Sequence, residues 1–183
     1  PKEDGLSKPR SFQAPKLVAF NRLYSGVGVL GFMGPYMAES QLNLDLLPSQ
    51  YAFTLSHEMA HLLGVSKEAE ANYWAFFTCT KSADPPIRYS GYLGMLPYVW
   101  INARGMLSEG ELEAWLSTVD KRIMADYEFQ REYWQALRIP LIDEMQTRIY
   151  DLMMKTNNIP TGMHNYSEVI GIVMSIRKSG ERH

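Results

Sequence analysis

A chain of 183 residues with 46% apolar and 21% charged residues can bury a substantial core and reads as one globular domain. Its net charge of −2 gives no electrostatic footing for nucleic acid, and the basic cluster of Arg177, Lys178 and Arg182 reads as a solvated end. The single cysteine, Cys79, excludes an internal disulfide, and no stretch approaches the ~18 apolar residues of a membrane span.

Residues 1–13 are polar, with proline and glycine, and read as a loose leader ahead of one domain over 14–183. Lys16 to Asn21 and Gly26 to Met33 are expected to be strands, and Tyr36 to Asp45 a weaker third, with Gly34-Pro35 marking the turn before it. A small sheet therefore precedes the helical part of the chain; an extended peptide could add to its edge, or the sheet could merely cover the core.

Pro48 suits the first turn of a helix whose Phe53, Leu55, Met59, Ala60, Leu62 and Leu63 make it apolar on most sides. That helix carries His57-Glu58-Met59-Ala60-His61, an HExxH motif. Residues four apart share a helix face, so His57 and His61 can grip one metal ion together. Glu58, rotated off that face, can polarise a metal-bound water. The plain alternative is that all three are hydrogen-bonded core or surface residues, but burying them without partners would be costly. Gly64 is suited to a left-handed turn that ends the helix.

A catalytic zinc site has three protein ligands and an open position. A third histidine in the pattern HExxHxxGxxH would fall at position 67, which is Lys67, so that arrangement is excluded. A carboxylate from the next helix, capped by Ser66, is the remaining source: Glu68 or Glu70. Two residues apart, they lie about 200° from each other, so only one can face the metal. Glu68 shares its stripe with Asn72, Ala75 and Cys79, which suit close packing and favour it. Glu70 aligns with Trp74, Phe77 and Lys81 and reads as a hydrogen-bonding or ion-pairing residue.

The rest reads as helical. Arg88 to Asn102 is aromatic-rich, Ser108-Glu109-Gly110-Glu111 is a capping box, and Asp120 to Leu137 carries a long amphipathic pattern. Pro140 is expected to open a helix to Lys155, Asn158 to Gly162 a loop, and Asn165 to Glu168 a cap for the last helix. Met95, Met106, Met153 and Met154 read as core filling, and His183 as a terminal residue.

Glu68-Ala69-Glu70-Ala71-Asn72 resembles the ExxAD or ExxSD element of gluzincin peptidases, with Asn72 where those families carry Asp. The resemblance implies Glu68 as third metal ligand and Asn72 as the partner that supports a ligand histidine from outside, with Glu70 beside it. Glu39-Ser40-Gln41-Leu42-Asn43, the HExxH with Gly64, Glu68 to Tyr73, Arg88-Tyr89-Ser90-Gly91-Tyr92 and the terminal Gly162 to Ile170 together resemble an uncharacterised bacterial family, domain-of-unknown-function family 3810. That resemblance implies a mostly helical α+β, zincin-like metallopeptidase domain: a small N-terminal sheet, then a helical bundle carrying HExxH. It also implies a bacterial membrane anchor N-terminal to Pro1, while a zinc cofactor and a peptide or protein substrate are expected from the HExxH site itself. A transition-state donor is expected among Arg88, Tyr89, His164 and Tyr166, with Tyr166 favoured because it lies in the terminal motif. The alternatives are a zinc-stabilised, non-catalytic binding or sensory domain, against which the intact Glu58 argues, and a metal-free helical interaction domain.

Overall fold

The computed structural model describes residues 10, 13–34, 39–140 and 168–175. A three-stranded sheet comes first, formed by β1 (Lys16–Leu17), β2 (Gly31–Gly34) and β3 (Glu39–Leu42) in the order β1-β3-β2. β3 runs parallel to β1 and antiparallel to β2, with Gly31 opposite Leu42 and Phe32 opposite Gln41. Among the described residues β2 is therefore an edge strand. Ser40 and Leu42 are buried, and β2 and β3 pack against the next long helix.

The strands are shorter than their sequence pattern suggests, and a six-residue helix, α1 (Asn21–Gly26), lies between the expected first two and takes one residue from each. Side-chain bonding to a distant loop stabilises it. Asn21 accepts a hydrogen bond from the Leu44 amide at 2.6 Å, and the buried Ser25 hydroxyl donates to Asp45 at 2.6 Å. Ile139 lies against Gly26, where a β-carbon would meet its Cδ1 at 2.5 Å. None of these partners is near in sequence. The third strand also shrinks, from Tyr36–Asp45 to Glu39–Leu42, and Asn43 to Asp45 become part of this polar junction.

Helix α2 (Pro48–Leu62) begins with Pro48 in its first turn, where the missing N–H costs nothing. It ends in a two-bond reversal: the Gly64 amide donates to His61 O at 3.0 Å and the Val65 amide to Ala60 O at 3.1 Å. Gly64 sits at φ +100°, a conformation that residues with a β-carbon rarely adopt. Val65 then packs with Ala60 and Ala71, the apolar contact that accompanies such a turn. That contact keeps the chain extended through Lys67, so α3 (Glu68–Thr80) starts without a cap from Ser66.

Helices α2, α3 and α4 (Pro85–Met106) form the core, centred on Phe53, Ala69, Ala75, Met95 and Val169, the last from a helical segment at 168–175. Small residues set the spacing. A β-carbon at Gly94 would lie 2.4 Å from Phe53 Cγ, and one at Gly91 would lie 2.7 Å from Cys79 Cβ. Replacing a helical glycine by alanine ordinarily gains about 1 kcal/mol. Here overpacking against the ring root outweighs it, and Gly94→Ala is expected to destabilise the domain by about 1–2 kcal/mol in urea denaturation.

Helices α5 (Glu109–Thr118) and α6 (Lys121–Leu137) complete the described helices named so far. The Glu111 carboxylate accepts from the Ser108 amide and hydroxyl, and Asp120 caps α6 by accepting from the Arg122 amide. Helix α6 is tied to the start of α2 by Gln130 donating to Ser49 and Trp134 donating to Gln50. Met95 is buried as expected, but Met106 is 81% exposed because α4 ends there, beyond the packed helices. The expected helix from Pro140 to Lys155, the loop at 158–162, Met153 and Met154 lie outside the described residues. The result is a mostly helical α+β architecture, and no helix among the described residues is long and apolar enough to cross a membrane.

Candidate functional site

The last two turns of α2 and the first of α3 meet in a cleft of about 550 Å³, walled by Gly31 and Phe32 of β2 and by Gly64 to Ser66 of the turn. His57 and His61, four residues apart on α2, point their Nε2 atoms at each other across 3.1 Å. The Glu68 carboxylate closes the triangle, with Oε2 at 3.2 Å from His57 Nε2 and Oε1 at 3.4 Å from His61 Nε2.

The opposite ring nitrogens explain the orientation. His61 Nδ1 lies 2.7 Å from the Val65 carbonyl, which can only accept, so Nδ1 carries the proton. His57 Nδ1 lies 2.9 Å from Asn72 Oδ1 and is held the same way. In the neutral rings both Nε2 atoms are then lone pairs, and they face a carboxylate. Three electron-rich groups repel at these distances unless a cation, whether a proton or a metal ion, sits among them. The donor set is one that could hold a divalent cation, with ligand atoms all within 4.8 Å of one another.

Glu58 is the buried member of the site, 5% exposed, and its Oε2 has no hydrogen-bond partner among the described residues. Burial pushes its carboxyl above the usual range, opposed by the nearby His57 and His61 and reinforced by the negative charge of Glu68. Glu68 is shifted the other way: when a proton sits between them, hydrogen bonding with His57 holds it below the usual range, and its side chain is 59% exposed.

The other expected residues fall in different places. Glu70 pairs with Lys67 at 3.4 Å on the outer side of α3, an ion pair rather than a support for the histidines. Asn72 lies behind His57. Arg88 donates to the Ser82 and Ala83 carbonyls, and Tyr89 donates to Asp126 of α6, with burial first and that bond second pushing its hydroxyl up to about 12. Neither lines the cleft. His164 and Tyr166 lie outside the described residues. Two contributors escaped the sequence reading. A backbone carbonyl such as that of Val65 leaves no residue-type signal, and Gly31 is one of four glycines between positions 26 and 34, so nothing in the sequence singled it out.

Fold and site together define a mostly helical α+β domain that presents a His–His–Glu cluster beside a buried carboxylate. The family described as "Protein of unknown function (DUF3810)" matches residues 4–174, and the chain belongs to it. No curated protein and no solved structure matches the chain.

Proposed function

We propose that this is a zincin-like, zinc-dependent metallopeptidase domain, with His57, His61 and Glu68 as the metal ligands and Glu58 as general base. The observation that carries the reading is the convergence of two imidazole lone pairs and a carboxylate, each histidine locked in the required tautomer by an acceptor behind it. Two imidazoles and one carboxylate suit zinc, and three protein ligands leave a coordination position for water. The buried Glu58 oxygen, unpartnered among the described residues, fits the same picture, since a site serving only structure has no use for it.

Zinc held there would lower the pKa of a bound water towards ~7 and polarise a substrate carbonyl. The protein's part is proton handling and orientation. Glu58 accepts the water proton at its carboxylate and delivers it to the leaving amine nitrogen. Asn72 and Val65 keep both imidazoles aimed, and Tyr166 is retained as the proposed transition-state donor. The substrate would be an extended peptide lying along β2. Because Leu30 accepts from Asn43 in the ladder, Gly31 faces its N–H and C=O away from β3, towards the outer edge. Membrane association through a segment N-terminal to Pro1 belongs to the same proposal.

A quenched fluorescent peptide library should be cleaved by the zinc-loaded protein and left intact after chelation. Zinc binding without any cleavage would instead favour the non-catalytic, peptide-binding alternative. Asn72→Ala should weaken zinc affinity about 10- to 100-fold, read by competition with a chromogenic chelator, because His57 loses the partner that fixes its ring.

A further inference from the structure

We infer that Gly31 is the positioning residue for Glu58, its missing side chain being the space in which the carboxylate is held. The inference deepens the metallopeptidase reading but rests on a contact that is independent of metal. Gly31 pairs with Leu42, so the two share a sheet face, and Leu42 is buried on the side that packs against α2. A side chain at position 31 would therefore project at Glu58. A β-carbon there would meet Glu58 Oε1 at 2.6 Å, Cγ at 2.7 Å and Cδ at 2.8 Å.

Three contacts along the side chain make the clash hard to escape. Swinging only the carboxylate leaves Cγ overlapped, so either the whole Glu58 side chain changes rotamer or β2 withdraws from α2. Both outcomes separate the general base from the edge strand on which the substrate would lie. The three atoms nearest such a β-carbon all belong to Glu58, and none to His57, His61 or Glu68. Gly31's backbone supplies no competing explanation: its φ lies outside the positive region that demands glycine. The requirement for glycine here is thus one of space and not of backbone conformation.

The test is a double-mutant cycle on the intact chain: wild type, Gly31→Ala, Glu58→Ala, and both together, read by thermal melting and zinc content. Gly31→Ala should lower the melting temperature by roughly 3–10 °C in the wild-type background and by little or nothing once Glu58→Ala has removed the obstructing atoms. Zinc content should be the same in wild type and Gly31→Ala, while kcat for peptide cleavage falls at least tenfold. An equal drop in melting temperature in both backgrounds overturns the inference, since a merely structural glycine would behave that way. Coupling accompanied by unchanged kcat overturns the positioning role while leaving the contact real. A wild type that neither binds zinc nor cleaves peptides removes the metallopeptidase reading, and with it the catalytic consequence. The coupling in the cycle then still decides whether Gly31 holds Glu58.

Discussion

Glu58→Gln is expected to lower peptide hydrolysis by about 100- to 10,000-fold while zinc stays bound, the range that a general base commonly contributes. The glutamine amide keeps the shape of the carboxylate but cannot take a proton from water. Expressed as transition-state stabilisation, the loss is about 3–5 kcal/mol. Stability should move the other way or not at all. Glu58 is buried with one oxygen unpartnered among the described residues, so a neutral side chain relieves the desolvation of a charge. A variant that retains zinc, melts no lower than wild type and has lost hydrolysis would isolate the proton-transfer role. Hydrolysis at the wild-type rate would remove Glu58 from the mechanism.

The second large effect concerns the metal itself. Purified wild-type protein should carry close to one zinc ion per chain by elemental analysis. Glu68→Gln should lose most of it, and Glu70→Gln should keep it. The distinction rests on position: the Glu68 oxygens lie 3.2 and 3.4 Å from the two Nε2 atoms, whereas Glu70 is engaged with Lys67. Zinc at one hundred times its dissociation constant would stabilise the fold by about 2.7 kcal/mol. For a domain of this size that raises the melting temperature by roughly 5–10 °C, and chelation reverses it. A wild type that takes up no zinc when supplied, and whose melting is indifferent to chelators, would leave the metal-free helical domain as the reading.

The legible parts of this protein were those written in short-range pattern. HExxH on one helix face, Pro48 at its start, Gly64 at its end, and the stripe of Glu68, Asn72, Ala75 and Cys79 all depend on residues within a few turns of one another. The structure has Asn72, Ala75 and Cys79 buried on α3 with Glu68 at the head of the same stripe. The apolar surface of the segment around HExxH was also readable, though Glu58 and Thr54 are buried there where Leu55 and Met59 are not fully so.

Where the pattern misled, a distant partner had overridden local preference. Lys16 to Asn21 and Gly26 to Met33 read as strands, yet Asn21 and Gly26 belong to a helix between them, because Asn21 and Ser25 find Leu44, Asn43 and Asp45 across the sheet. Ser66 is a good cap by type, but burial of Val65 delays the next helix past it. Arg88 and Tyr89 had the chemistry of transition-state donors, and their partners turned out to be the α3–α4 turn and Asp126.

By itself the sequence determined which polar groups are at hand, and that His57 and His61 share a helix face, since helical spacing is fixed by backbone sterics and hydrogen bonding. Only the tertiary structure decided how that chemistry is aimed. The crossing of α3 over α2 brings Glu68 to the two histidines and puts Asn72 behind His57. The reversal at Gly64 brings the Val65 carbonyl to His61, and the edge strand meets Glu58 at a residue with no side chain to obstruct it. Those contacts join segments whose separation along the chain carries no periodic signal, so they arise only when burial of apolar surface draws the elements together.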